Sequence, residues 1–141
     1  MPTAICLDMD DTILDFSSGV DACWERVCED FAAEHEGLSA PALRTAIDDY
    51  RAWYWSDAER HRRGRLDMPV ARREIVTGAL LGLGVQVPEL ADRIAQAYDA
   101  ARDGSLSLFP GAVEALRRLR SLGIRLAMIT NGRSEDQRGK I

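Results

Sequence analysis

The sequence lacks any apolar run close to the roughly 20 residues that a membrane-spanning helix needs. The N-terminal residues MPTAICLD carry no cationic stretch, so we expect no secretory signal. We also expect no association with a membrane. Cysteine is scarce, and Cys6, Cys23 and Cys28 have no CxxC spacing, which favours reduced thiols in a cytoplasmic protein. The 18 basic residues are outnumbered by 23 acidic ones without forming a basic stripe, which argues against nucleic acid as a partner.

Two apolar segments predict neighbouring strands of a parallel sheet. TAICLD (residues 3–8) and IRLAMIT (residues 124–130) are apolar almost throughout, as strands covered on both faces are. AVEALRRLRSLG (residues 112–123) is an amphipathic helix directly before the second strand. We expect it to bury an apolar stripe that consists of Val113, Leu116, Leu119 and Leu122. This order indicates an α/β unit.

The segment between the first strand and this helix is too long for one crossover and predicts an inserted helical cap. Its apolar residues recur every three to four positions and predict helices that begin near Ser17, Ser39, Asp67 and Pro88. RHRRGR (residues 60–65) contains a glycine and predicts a loop, and residues 103–111 predict a linker. We therefore expect an α/β protein with a partial Rossmann-like parallel-sheet core, residues 1–15 and 107–141, and an α-helical cap, residues 16–106.

Polar side chains follow both predicted strands. Asp8 and Asp10 follow the first strand, and Thr130, Asn131 and Gly132 follow the second. Ligands of parallel sheets bind beyond the carboxyl ends of the strands, so these groups would share a crevice if the strands are neighbours. Two close carboxylates can share a proton or a cation, and Mg²⁺ binds through one or two carboxylates plus water and phosphate oxygens. Each motif alone is also typical of a solvated turn, but their joint placement favours a function.

The chemistry available to such a site is phosphoryl transfer. A carboxylate can attack phosphorus to form an aspartyl-phosphate, and a second aspartate can give a proton to the leaving oxygen. The hydroxyl of Thr130 and the backbone amides after it can hold the phosphate.

ICLDMDDTILD resembles the first motif of the haloacid dehalogenase-like hydrolase superfamily, an apolar strand followed by Asp-x-Asp-x-Thr, and LAMITNG resembles its second motif. The resemblance implies a Rossmann-like core with a helical cap and Mg²⁺-dependent hydrolysis of a small phosphorylated metabolite. Asp8 would be the nucleophile, Asp10 the acid and base, and Thr130 a phosphate ligand. Asp8 and the backbone carbonyl of Asp10 would hold the metal. Dehalogenases of the superfamily lack an aspartate at the position of Asp10, so the resemblance favours a phosphatase over a dehalogenase.

The superfamily pattern continues with a lysine motif and an acidic pair, and neither is found in these residues. Lys140 is the only lysine, and it follows Thr130 too closely to fill that role. A two-stranded sheet would also leave unpaired edges and exposed apolar surface. We therefore expect either a C-terminally truncated chain or self-association that covers those edges.

Substrate specificity would lie in the cap. Trp53, Trp55, Arg63 and Arg65 could contact an aromatic or anionic leaving group, although cap-core aromatics and solvated arginines are the more common arrangement. A truncated, non-catalytic remnant that binds a metal or a partner stays open as an alternative function. A receiver-like signalling module is disfavoured, because receivers place only a short helix between successive strands.

Overall fold

Two units make up the chain in the computed structural model, which describes residues 2–86, 88–131 and 134–140. An α/β unit comprises the residues up to Val20 and from Ser105 onward, and a helical unit comprises Asp21–Gly104. In chain order the elements are β1 (Ala4–Leu7), β2 (Leu14–Asp15), α1 (Val20–Glu34), α2 (Ala40–Ser56), α3 (Ala58–Leu66), α4 (Met68–Gly82), α5 (Pro88–Ser105), β3 (Ser107–Leu108), α6 (Ala112–Ser121), β4 (Arg125–Met128) and α7 (Ser134–Arg138). The predicted α/β class is confirmed.

The two predicted strands pair with each other. β1 and β4 run parallel, in a register that starts with Ala4 opposite Arg125 and ends with Leu7 opposite Met128. A second, antiparallel pair joins β2 to β3, with Leu14 opposite Leu108. β3 lies within residues 103–111, which the sequence predicted to be a linker. A two-residue strand is too short to produce a recognisable alternation of apolar and polar residues.

The predicted burial of an apolar stripe on α6 is wrong. Val113 and Leu122 are 39% and 57% exposed, and Leu116 and Leu119 are half-buried. Among the described residues the parallel sheet has two strands, so it offers the helix little surface to cover.

The helical unit begins its helices with side-chain caps. The side chains of Ser39, Asp57 and Asp67 accept hydrogen bonds from the backbone N–H of Ala42, Arg60 and Val70 and so begin α2, α3 and α4. The core is apolar and aromatic, and in it the rings of Trp24 and Tyr98 stack with centroids 3.8 Å apart. Throughout the described residues, every helix is too short or too polar to cross a membrane.

The predicted loop at residues 60–65 is wrong, because these residues form most of α3. The Asp57 side chain accepts a hydrogen bond from the backbone N–H of Arg60 and so caps the start of this helix. This cap favours a helix over a loop for the basic residues that follow. Gly64 is buried, and a Cβ there would lie 2.8 Å from the Trp55 ring and 2.9 Å from the Tyr54 ring. The glycine therefore permits close aromatic packing against the helix and does not end it.

A second glycine lets α2 approach α4. A Cβ at Gly78 would lie 2.0 Å from Cζ of Tyr50, whereas a Cβ at Gly82, in the same helix, would have no atom within 4 Å. We expect Gly78→Ala to lower the free energy of unfolding by about 1–3 kcal/mol through overpacking. Gly82→Ala should be neutral or stabilising by up to about 1 kcal/mol. Urea denaturation measures both.

The cost at Gly78 should also depend on its neighbour. In a double-mutant cycle, Gly78→Ala should cost less in a Tyr50→Ala background, because the ring that it meets is then absent. Equal costs in both backgrounds would contradict the proposed contact.

The three thiols should differ in reactivity. Cys6 is exposed, whereas Cys23 and Cys28 are buried, and burial raises the pKa of Cys28 to about 11. Since the thiolate is the reactive form, one thiol should react rapidly with Ellman's reagent at pH 8 in the folded chain, and all three after unfolding in urea. Cys6→Ser should remove the rapid phase. Rapid reaction of two thiols in the folded chain would disagree with this burial.

Candidate active site

The site residues predicted from the two strands lie at one end of the same parallel pair. The backbone N–H of Ile129 donates to the carbonyl of Leu7 over 2.9 Å, so the pairing continues to the last residue before Asp8 and Thr130. Asp8 and Asn131 are exposed, and Thr130 is half-buried. Asp8, Thr130 and Asn131 therefore follow the carboxyl ends of neighbouring strands, where parallel sheets bind ligands. Gly132, predicted to help hold the phosphate, lies outside the described residues.

A tight loop follows Asp8 and is anchored by a buried methionine. Met9 is 1% exposed, and its carbonyl accepts hydrogen bonds from the backbone N–H groups of Ile13 and Leu14. Asp11 adopts a positive φ of 56°, which aspartate tolerates better than most residues. These hydrogen bonds close a tight loop directly after β1, and the loop carries Asp10 and Asp11.

Two of the four acidic residues in this region are structural. The Asp11 carboxylate accepts hydrogen bonds from the backbone N–H groups of Phe16 and Ser17 and from the hydroxyl of Ser17, over 2.6–3.1 Å. Asp15 accepts one from the N–H of Ser18. Asp11 and Asp15 are thus used in closing the turn before α1, which leaves Asp8 and Asp10 as the carboxylates available for chemistry.

Asp10 is held by a lysine to which sequence patterns assigned no role. Nζ of Lys140 lies 2.8 Å from each of the two Asp10 carboxylate oxygens. A second residue from the same segment, Gln137, accepts a hydrogen bond from the Thr130 hydroxyl over 3.2 Å through its side-chain oxygen. Gln137 belongs to α7, and Lys140 lies in the turn after it, where its backbone N–H donates to the Gln137 carbonyl over 3.3 Å. No local sequence pattern indicates either contact, because each joins this segment to a residue that follows one of the parallel strands.

Among the described residues, the acidic side chains beyond β1 form no closed metal cage. Within residues 2–86, 88–131 and 134–140, no group of three or more His, Cys, Asp and Glu side chains is arranged to hold a metal. Mg²⁺ does not need such a group, since it binds proteins through one or two carboxylates and keeps several waters and substrate oxygens. The exposed Asp8 carboxylate, directly beyond β1, is compatible with that mode.

The four residues predicted to give specificity divide into two pairs. Trp53 and Arg63 line a cavity of about 280 Å³ in the helical unit, together with Tyr50, Arg60, Arg73 and Glu74. Trp55 packs its ring edge-on against Tyr54 and His61 instead. Arg65 is exposed and is not among the cavity residues. A role of these four residues in specificity stays a prediction.

The cavity residues are already partnered within the unit. The Arg60 guanidinium lies 3.8 Å from the centroid of the Trp53 ring and donates to the carbonyls of Trp53 and Tyr54. Arg63 bonds to Glu74 over 3.1 Å, and Tyr54 donates to the same carboxylate. Burial, followed by this hydrogen bond to Glu74, raises the pKa of the Tyr54 phenol. A ligand here would therefore compete with existing ion pairs.

The sequence matches the family of haloacid dehalogenase-like hydrolases over residues 2–141. The chain therefore belongs to the haloacid dehalogenase-like hydrolase family. Among curated protein sequences, none matches it.

Three solved structures resemble the chain. The chain resembles a 2-haloacid dehalogenase from Pseudomonas syringae pv. Tomato DC3000 with a TM-score of 0.57 and 23% identity, over 98% of this chain and 59% of that one. It also resembles the L-2-haloacid dehalogenase from Xanthobacter autotrophicus, with a TM-score of 0.48 and 19% identity over 99% and 51% of the two chains. A protein provisionally named a phosphoglycolate phosphatase, from Lactobacillus delbrueckii subsp. bulgaricus, gives a TM-score of 0.43 and 19% identity over 94% and 56%.

The first of these likenesses shows the shared fold, and at this identity it shows nothing further. The chain spans between half and three fifths of the length of these three structures.

The division of the acidic residues gives a stability test. Asp11→Ala should lower the free energy of unfolding by roughly 1–3 kcal/mol, because two backbone N–H groups and a hydroxyl lose a charged acceptor. Asp8→Asn should change it by less than about 0.5 kcal/mol, because Asp8 is exposed and the change removes a negative charge from an acidic loop. Urea denaturation of both variants measures the difference. A larger loss for Asp8→Asn than for Asp11→Ala would contradict this division.

Proposed function

We propose that this chain carries the reaction centre of a Mg²⁺-dependent phosphatase that acts on a small phosphorylated metabolite through an aspartyl-phosphate. The observation that carries the proposal is the parallel pairing of β1 with β4, which sets Asp8 and Thr130 beyond neighbouring strand ends. Family membership supports hydrolysis as the reaction type. The presence of Asp10 supports a phosphate ester rather than a haloacid as the substrate, as the sequence resemblance implies.

In the proposed reaction, an Asp8 carboxylate oxygen forms a bond to phosphorus while the bond from phosphorus to the leaving oxygen breaks. Asp10 gives its proton to that leaving oxygen. Water then attacks the phosphorus of the aspartyl-phosphate, Asp10 takes a proton from it, and phosphate and free Asp8 result. Thr130 and Asn131, with Gly132 by resemblance, orient the phosphate.

Asp8 and the backbone carbonyl of Asp10 would hold Mg²⁺. The cation, when bound, neutralises part of the repulsion between a carboxylate nucleophile and an anionic phosphate. A reducing cytoplasm suits the three free thiols, so we place the reaction there.

Hydrolysis of p-nitrophenyl phosphate tests the proposal. Turnover by the 141-residue chain should require Mg²⁺ and disappear with EDTA. Asp8→Asn should reduce turnover to background, because no nucleophile remains, and Asp10→Asn should reduce it by roughly 10²–10⁴-fold, the usual contribution of general acid–base catalysis. Asp15→Asn is the matched control, since the asparagine side-chain oxygen can still accept from Ser18, and its turnover should stay unchanged.

Three outcomes would count against the proposal. Turnover that survives Asp8→Asn would remove the nucleophile. Halide release from a 2-haloacid, without phosphatase turnover, would favour a dehalogenase. A folded chain with no turnover and no hydroxylamine-sensitive phosphorylation of Asp8 would favour the non-catalytic alternative.

A further inference from the structure

The contact between Lys140 and Asp10 is more than a surface ion pair. Nζ donates to both carboxylate oxygens at 2.8 Å, and the two side chains are 12% and 27% exposed. Nζ also lies 4.3 Å from the centroid of the Phe16 ring, so an aromatic face covers one side of the ammonium group. Partial burial of two charges costs desolvation, which makes this a poor stabilising device and points to another role.

The segment that carries Lys140 is fixed at the strand ends by a second, independent contact. Gln137 lies three residues before Lys140, whose backbone N–H donates to the Gln137 carbonyl, and the side-chain oxygen of Gln137 accepts from the hydroxyl of Thr130. Each of the two side chains holds one residue of the candidate active site, Asp10 or Thr130. The position of Lys140 is therefore set by contacts with residues beyond the ends of β1 and β4.

A lysine suits this position better than an arginine. The sequence holds 18 basic residues, and Lys140 is its single lysine. An arginine fork would engage both carboxylate oxygens along one planar edge. A compact ammonium contacts both oxygens through one atom and leaves further lone pairs on each oxygen for a proton to be given or taken.

We propose that Lys140 is a positioning residue for Asp10: its ammonium group fixes the direction in which the Asp10 carboxyl faces the leaving oxygen. This inference rests on the proposed phosphatase function. Its catalytic consequence is specific, since a misplaced acid matters most when the leaving group needs a proton.

The kinetic test compares two substrates of different leaving-group quality. With phenyl phosphate, whose leaving oxygen needs protonation, Lys140→Met should lower kcat about 10- to 100-fold with little change in KM. With p-nitrophenyl phosphate, whose leaving group departs readily as an anion, the loss should be several-fold smaller. Lys140→Arg should recover part of the loss. Equal losses on both substrates, or kcat values within two-fold of the unsubstituted chain, would overturn the positioning role.

A second measurement does not depend on turnover. Because the chain has one lysine, ¹⁵N-lysine labelling gives one side-chain ammonium signal in the NMR spectrum. Asp10→Asn should shift this signal and speed its hydrogen exchange, whereas Asp15→Asn should leave it unchanged. An unaffected signal in Asp10→Asn would overturn the contact itself.

The two measurements separate this inference from the function on which it rests. If the unsubstituted chain shows no turnover, the phosphatase proposal fails and the positioning role fails with it, while the NMR result still decides whether Lys140 holds Asp10. If turnover requires Asp8 but the phenyl and p-nitrophenyl losses are equal, the phosphatase proposal stands and the role of Lys140 falls.

Discussion

The pairing of β1 with β4 is the constraint on which the candidate site depends. Neither Asp8 nor Thr130 belongs to a strand, yet both are placed by the hydrogen bonds of the residues just before them, down to the one between Ile129 and Leu7. A shift of one residue in this register would turn the side chains of one strand to the opposite face and separate the two groups. The paired strands therefore position the polar residues that lie just beyond their ends.

The acidic residues after β1 lie in three different surroundings. Backbone N–H groups neutralise Asp11, an ammonium group faces Asp10, and Asp8 is left exposed. One carboxylate thus holds the loop, a second pairs with Lys140, and the third is exposed to solvent.

Patterns of local origin were predictable from the sequence, and contacts between distant segments were not. Apolar runs identified both strands of the parallel pair. The expected cover on both faces was wrong, because β1 alternates between exposed and half-buried residues and β4 is mostly exposed. The loop predicted around Gly64 failed because the same residue type ends helices and also admits close aromatic packing, and the sequence does not separate the two uses. The contact of Lys140 with Asp10 has no signal in composition at all. It depends on the register of the strands and on one turn of helix after them.

The parallel pair also has a consequence for how the chain folds. Ala4 lies opposite Arg125, so nearly the whole chain separates the two partners. Closing so large a loop loses much conformational freedom before any contact is gained, and such non-local pairings form slowly. The residues Asp21–Gly104 form a compact helical unit of their own, which can condense before the two strands pair. On this basis the early product of synthesis is a structured helical insert attached to an unpaired apolar N-terminal strand, the species most exposed to aggregation and to chaperone binding.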